Sequence, residues 1–553
     1  MSFALAHARS LLGLRSQVVR VEVHLANGLP QFSLVGLPST AVRESRDRVR
    51  AALVNSGFEF PARRVTVSLT PADLPKDSGH FDLAIALGIL AASQQFPAQS
   101  LNNKVFAGEL SLSGELLPVR AAFALATALS LEPVSARPCL VLPQANASDL
   151  SGFEAEQPIS LAASLRDLVA ALRSGELLSV WSCRKRAPSL STEQSSPSEE
   201  FDFVHSEALA WEDLQGQSLA RQAAMVAVAG AHNLLMLGPP GVGKSMIAQR
   251  MAGLVPPMQN AIAAELAAIR SLATGSPVGI DRGIDRGASS GTGTGSDHTG
   301  SGFVRPPFRN PHHTATARAL TGGGIPIRPG EMSLAHGGIL FLDEMPEFAR
   351  DCLESLREPL ETKQVRISRA KEQVEYPAHF MLVGAMNPCP CGLWGSTACR
   401  CSPDQVQRYR GRISGPVLDR FDLAVMLEQH TVQKPSNAAA LVHGPSIESL
   451  ANGRTSEMAQ AVARAREMAR QRQGCNNADL GIAKLNETSL IEPAASDLVS
   501  NMAQRMGWSL RVVHRLMRVA RTIADLEGQQ QVMPAQMAKA IGLRRGLDGP
   551  ATS

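Results

Sequence analysis

The chain has 553 residues, of which 44% are apolar, 19% charged and only 4% aromatic; that is room for about three domains of ordinary size and unlike a disordered chain or a fibre. Fifty-four Lys and Arg stand against 50 Asp and Glu, a net charge of +4, so any cationic surface for nucleic acid has to be local. The opening stretch MSFALAHARSLLGLRSQVV is broken by His7, Arg9 and Arg15, and no apolar run nears the roughly 18 residues of a membrane span, so a soluble, cytoplasmic protein is expected.

Residues 1–180 alternate β-rich runs (Val18 to Leu25, Arg64 to Leu69) with helical patterns (Thr40 to Asn55, Asp82 to Ala92), the texture of an α/β domain. The stretch RKRAPSLSTEQSSPSEE, from Arg184 to Glu200, lacks apolar periodicity and marks a linker over 181–210. A second domain then spans 211–435. Its strongest signal is Gly238-Pro239-Pro240-Gly241-Val242-Gly243-Lys244-Ser245, set between the apolar run Asn233 to Leu237 and a helical pattern from Met246 to Ala252. Such a loop binds ATP with Mg²⁺: glycines let backbone N–H groups wrap the phosphates, Lys244 reaches the β and γ oxygens, and the Ser245 hydroxyl ligates the metal. A chance glycine-rich turn would not carry strand, loop and helix in register.

Further along, 275–302 is rich in Gly, Ser and Thr and reads as a flexible insertion. His312 and His313 are adjacent and would face opposite ways on a strand; a packing role stands beside a DNA-proximal one. The run Ile339 to Leu342 ends in Asp343-Glu344, where Asp343 can join the Mg²⁺ shell and Glu344 can orient the attacking water. Lys363, Arg366, Arg369 and Lys371 fall on a strand, turn and return; such cations hold phosphates without reading bases, or else simply face solvent. A third apolar run, Phe380 to Ala385, leads to Asn387, whose amide can polarise the same water, although Asn before Pro388 also suits a plain turn. Cys389, Cys391, Cys399 and Cys401 offer four thiolates within 389–401, a set for tetrahedral Zn²⁺; reduced thiols in a tight loop and a redox switch are the alternatives. Trp394 lies inside that loop, placed to pack it or to stack on a base. Residues 436–480 read as a partly helical insertion, and 481–553 as an all-helical terminal unit.

Together with GLPQFSLVGLPSTAVRESRDRVRAAL at the front, NPHHT at Asn310, RPGEMSLAHGGILFLDEMPEF at Arg328, RISGPVLDRFDL at Arg412 and SLRVVHRLMRVARTIADL at Ser509, these motifs resemble the Mg-chelatase-like AAA+ ATPases of the YifB/ComM group. The resemblance implies an α/β fold: an N-terminal Lon-protease-like α/β domain, an AAA+ P-loop αβα domain with a parallel sheet, and a C-terminal helical lid. It implies ATP hydrolysis in a hexameric ring acting on branched or single-stranded DNA, a branch-migration helicase that helps integrate foreign DNA in natural transformation. It also casts Asn387 as sensor 1, Arg420 as an arginine finger acting on a neighbour, and Arg511 as a sensor 2 residue reaching the nucleotide of its own subunit. A chelatase subunit that drives Mg²⁺ insertion into a porphyrin, or a protein-remodelling ATPase, are the alternatives.

The segments Leu74 to Leu83 and Gly108 to Val119 resemble the core of the Lon-type protease domain. His80 falls where that family's serine belongs and Phe123 where its lysine belongs. Ser78 has no evident base, so the expected role is a scaffold and not a peptidase.

Overall fold

The computed structural model describes residues 2–36, 40–72, 79–150, 153, 157–175, 180–181, 210–214, 216–274, 305–369, 372–394, 398–427, 446–544 and 546. Lys76, Ser78 and Lys371, the insertion 275–302, and all but the ends of the linker 181–210 lie outside the described residues.

The N-terminal unit begins with a long antiparallel hairpin, Ser2–Leu12 against Arg15–Ala26, turning at Gly13 with φ +65°. The second strand buries Val19, Val21, Val23 and Leu25 at every other position, the alternation of a sheet with one face on the core. It continues through Arg64–Thr70 to the parallel edge strand Gln31–Val35. Against this sheet lies the helix Asp82–Ala92, buried along its whole length and, after Asp82, which pairs with Arg48 at 2.9 Å, without a polar side chain, as a helix enclosed on every side must be. A second sheet runs Val180–Trp181, Ile159–Ala162, Cys139–Pro143, Lys104–Phe106.

In the central unit five parallel strands lie in the order Phe308–Arg309, Ile339–Leu342, Met381–Met386, Leu234–Leu237, Leu423–Met426. The three middle strands are buried at every position. Their continuous apolar runs reflect a sheet covered by helices on both faces. Because Leu237 pairs with Met386 and Leu342 with Gly384, the three strands deliver their following residues, Gly238, Asn387 and Asp343, to one carboxyl edge.

Helices Ser218–Gly230, Thr455–Gln473 and Leu510–Leu526 share a single core built on Val226, Val462, Val519 and Ile523. Thr455–Gln473, read from sequence as part of a separate stretch 436–480, thus packs in one body with the C-terminal helices. Inside it the Asp525 carboxylate binds Arg472 at 2.7 Å, Arg521 at 2.9 Å and the Asn477 amide at 2.8 Å.

The strands Gln364–Arg369 and Glu372–Pro377 form an antiparallel hairpin outside the main sheet. Among the described residues the first and second units meet in several places, two of them tight. Ala268, on helix Asn260–Thr274, is buried among Phe123, Leu125 and Leu129. The Gly13 turn meets the hairpin so closely that a Cβ there would come within 2.8 Å of Val374 Cγ1.

Candidate active site

The P-loop leaves Leu237 and enters the helix Lys244–Leu254 through Gly241 and Gly243, at φ +78° and +94°. Nothing stands within 4 Å of where their Cβ atoms would be, so glycine is needed for its left-handed backbone and not for space. The helix has no side-chain cap, which leaves its N-terminal amides to an anion. The Lys244 ammonium donates to the carbonyls of Gly238 (2.7 Å) and Pro239 (2.8 Å) and to Asn387 Oδ1 (3.0 Å). Burial pulls its pKa down, against the attraction of Asp343 and Glu344. Ser245 Oγ donates to Asp343 Oδ2 at 2.6 Å, so the hydroxyl and the carboxylate proposed for one magnesium ion already touch. This donor set fits a polyphosphate with its divalent cation: capless amides and an ammonium for the phosphates, a hydroxyl and a carboxylate for the metal.

Glu344 follows with φ +50°, left-handed and strained for a residue with a side chain, and its N–H is taken by Asp343 Oδ1 at 3.0 Å. That backbone turns the Glu344 carboxylate into the open cleft, which Pro240, Lys244, Ser245, Asp343 and Asn387 also line. Sequence reasoning missed two features here. Met246 and Met386 complete the wall, and His313 brings Nδ1 to 3.5 Å from Glu344 Oε2. The neighbouring His312 ring packs on His313 at a tilt of 34°, centroids 4.1 Å apart, and meets the Thr314 hydroxyl at 2.9 Å.

The two arginines singled out by the family motifs are elsewhere. Arg420 precedes the strand Leu423–Met426, and its carbonyl accepts from the Asn233 amide at 2.9 Å. It therefore sits at the amino edge of the sheet, separated from the P-loop by a four-residue strand, about 13 Å. Its guanidinium is buried and reaches Glu361 at 2.7 Å. Arg511 binds the same Glu361 Oε1 and is not among the residues that line the cleft. The reason is the seat of its helix: Arg515, one turn on, donates to the Phe421 carbonyl at 3.2 Å, which pins that end of the helix to the amino edge beside Arg420. The Arg511 hydrogen bond, with the charge of Arg420, holds the Glu361 carboxyl below its ordinary pKa.

On the hairpin, Lys363 pairs with Asp479 at 3.3 Å and Arg366 with Glu375, opposite it in register, at 3.0 Å. Arg369 stands exposed at the far end. The four thiols converge: Cys389 Sγ lies 3.4 Å from Cys391 and 3.9 Å from Cys399, Cys391 and Cys399 are 3.6 Å apart, and all four sulfurs, Cys401 included, are within 4.8 Å of one another. In the N-terminal unit His80 and Phe123 serve the core. His80 Nε2 meets the Arg9 carbonyl at 2.8 Å, and Phe123 packs edge-on against Phe153 at 5.5 Å.

A parallel sheet with this P-loop, an acidic strand tip, a polar neighbour at Asn387 and a helical C-terminal body defines an AAA+-type ATPase. The family models agree. "Magnesium chelatase, subunit ChlI" matches residues 210–280 and 288–435, "Subunit ChlI of Mg-chelatase" matches 21–146, and "Magnesium chelatase, subunit ChlI C-terminal" matches 452–544. Competence protein ComM of Haemophilus influenzae is 39% identical, covering 98% of each chain. The uncharacterized YifB proteins of Salmonella typhimurium and Escherichia coli are 37% and 36% identical, each over 98% of this chain and 97% of their own. The chain belongs to the YifB/ComM family of Mg-chelatase-like proteins. Among the described residues no helix is long and apolar enough to cross a membrane.

Proposed function

We propose that the protein hydrolyses ATP in a homo-hexameric ring and uses the energy to move branched or single-stranded DNA, as a branch-migration helicase would. The observation that carries the ATPase half is the convergence of Lys244, Ser245, Asp343, Glu344 and Asn387 on one cleft. Lys244 and the loop amides hold the phosphates, Glu344 orients the attacking water and takes its proton, and Asn387 fixes both the water and Lys244. Mg²⁺, held by Ser245 and Asp343, would supply charge neutralisation on the transferring phosphoryl group. In this reading Arg420 acts in trans on a neighbour's γ-phosphate, and Arg511, which shares Glu361 with it, is the sensor 2 arginine of its own subunit.

The DNA half draws on the hairpin cations and on the likeness to a protein named for competence. Steady-state ATPase rates with no DNA, linear duplex, single strand and a four-way junction, at fixed salt, test it. Stimulation greatest with the junction is expected, with Arg369→Ala flattening the salt dependence by about one counterion. Absence of stimulation by every DNA would refute the DNA reading. It would favour a chelatase-type or protein-remodelling subunit, a reading to which the family descriptions and the neutralised Lys363 and Arg366 lend support.

A further inference from the structure

We infer that Cys389, Cys391, Cys399 and Cys401 hold a zinc ion that acts as a strut for the nucleotide site, so that metal loading sets the affinity for ATP. The inference rests on the nucleotide-binding reading of the P-loop and not on the DNA reading. Four thiolates around Zn²⁺ at about 2.3 Å place their sulfurs about 3.8 Å apart along each tetrahedral edge. Three of the sulfur separations, 3.4, 3.6 and 3.9 Å, bracket that edge, and all four sulfurs lie within 4.8 Å of one another. Only Cys389 is buried, so the site is formed by a loop folding over on itself at the surface, the arrangement a metal stabilises where apolar burial cannot.

Three contacts tie this loop to the cleft. Cys389 comes two residues after Asn387, whose side chain accepts from Lys244. Gly392, at φ +80° and buried, lies so close to the P-loop that a Cβ on it would meet Pro240 Cδ at 2.4 Å. Past the last thiol, Ser402 caps the helix Pro403–Arg410, and Arg410 reaches back to donate to the Pro388 carbonyl at 3.1 Å. A metal joining Cys389 and Cys391 to Cys399 and Cys401 closes this circuit: it holds Gly392 against Pro240 and keeps the strand tip bearing Asn387 in register with Lys244. Without it, Gly392 is no longer held against Pro240, and the P-loop loses its neighbour on that side.

The test uses the full-length chain purified without chelator. Metal analysis is expected to find one zinc per chain, and cobalt exchanged into the site is expected to give the intense visible bands of a tetrahedral thiolate centre. Stripping the zinc with a thiol-directed chelator, with Mg²⁺ replenished, is expected to weaken binding of a fluorescent ATP analogue about tenfold, reversed by added Zn²⁺. Cys399→Ser with Cys401→Ser should show the same weakening without rescue. Because that variant also risks misfolding, Gly392→Ala provides a second arm. It keeps all four thiols, should keep its zinc, and should still weaken the analogue about tenfold by pushing on Pro240. Protein that carries no zinc as purified, or zinc-free protein that binds the analogue as tightly as the loaded form, would overturn the inference. Failure of the loaded wild type to bind the analogue at all would instead bring down the nucleotide reading, and the coupling with it.

Discussion

His80 puts a pH-dependent load on the N-terminal unit that can be worked out in advance. Its ring is enclosed beside Phe81, centroids 4.0 Å apart, and Nε2 meets the Arg9 carbonyl. Burial dominates, and the pKa drops from 6.5 to about 4. Above pH 6.5 the ring is neutral whether the chain is folded or not, and the site is neutral in its effect. Between 6.5 and 4 the unfolded chain takes up a proton that the folded chain refuses, so stability falls as pH falls. Below about 4 both forms are charged and the loss levels off. At 1.36 kcal/mol per pH unit the total is about 3 kcal/mol. His80→Gln keeps an N–H for the Arg9 carbonyl and removes the titration. Denaturant melts of wild type and variant from pH 7 to pH 4, with hydrogen exchange along Asp82–Ala92 to isolate this unit, measure the difference directly. The wild type should lose about 3 kcal/mol more than the variant across that range. Parallel stability curves for the two proteins would show that the ring is solvated or charged in the fold and that the reasoning is wrong.

Three further outcomes are expected. Arg420→Ala and Lys244→Ala should each abolish turnover, by about 10³-fold or more for the arginine, yet an equimolar mixture should regain about a quarter of wild-type ATPase at interfaces that pair an intact P-loop with an intact arginine; no recovery on mixing would place Arg420 outside the neighbour's site. His313→Ala should lower kcat about tenfold with KM unchanged, because His313 positions Glu344 without holding the nucleotide, and equal kcat for variant and wild type would remove it from the mechanism. Asp525→Ala strands Arg472 and Arg521 without their shared carboxylate, and chemical denaturation should register a loss of about 3–5 kcal/mol.

What could be read from the sequence was what chemistry requires to be contiguous. The P-loop needs its glycines, Lys244 and Ser245 in one short run, and Asp343 and Asn387 each follow an apolar strand run that announces itself. The helices Thr40–Asn55 and Asp82–Ala92 fall where apolar spacing puts them. The unread part depended on distant segments meeting. His313 and Glu344 come together through a loop, with no period linking them. Glu361 joins Arg420 and Arg511 because the helix bearing Arg511 is pinned at Phe421, a choice made by a contact across 94 residues of chain. The neutralisation of Arg366 by Glu375 needs the hairpin register that sets the two opposite each other. The N-terminal strand Ser2–Leu12 was hidden for a different reason: its buried face is largely Ala4, Ala6 and Ala8, small side chains that give a faint alternation.

Between the Gly13 turn and the hairpin there is no slack. The turn rests on Val374, and Arg15 reaches the second oxygen of Glu375, 3.7 Å away, while Arg366 holds the first. A displacement of the hairpin would therefore have to carry Ser2–Leu12 and Arg15–Ala26 with it or break these contacts. The N-terminal unit is in this sense mechanically coupled to the hairpin.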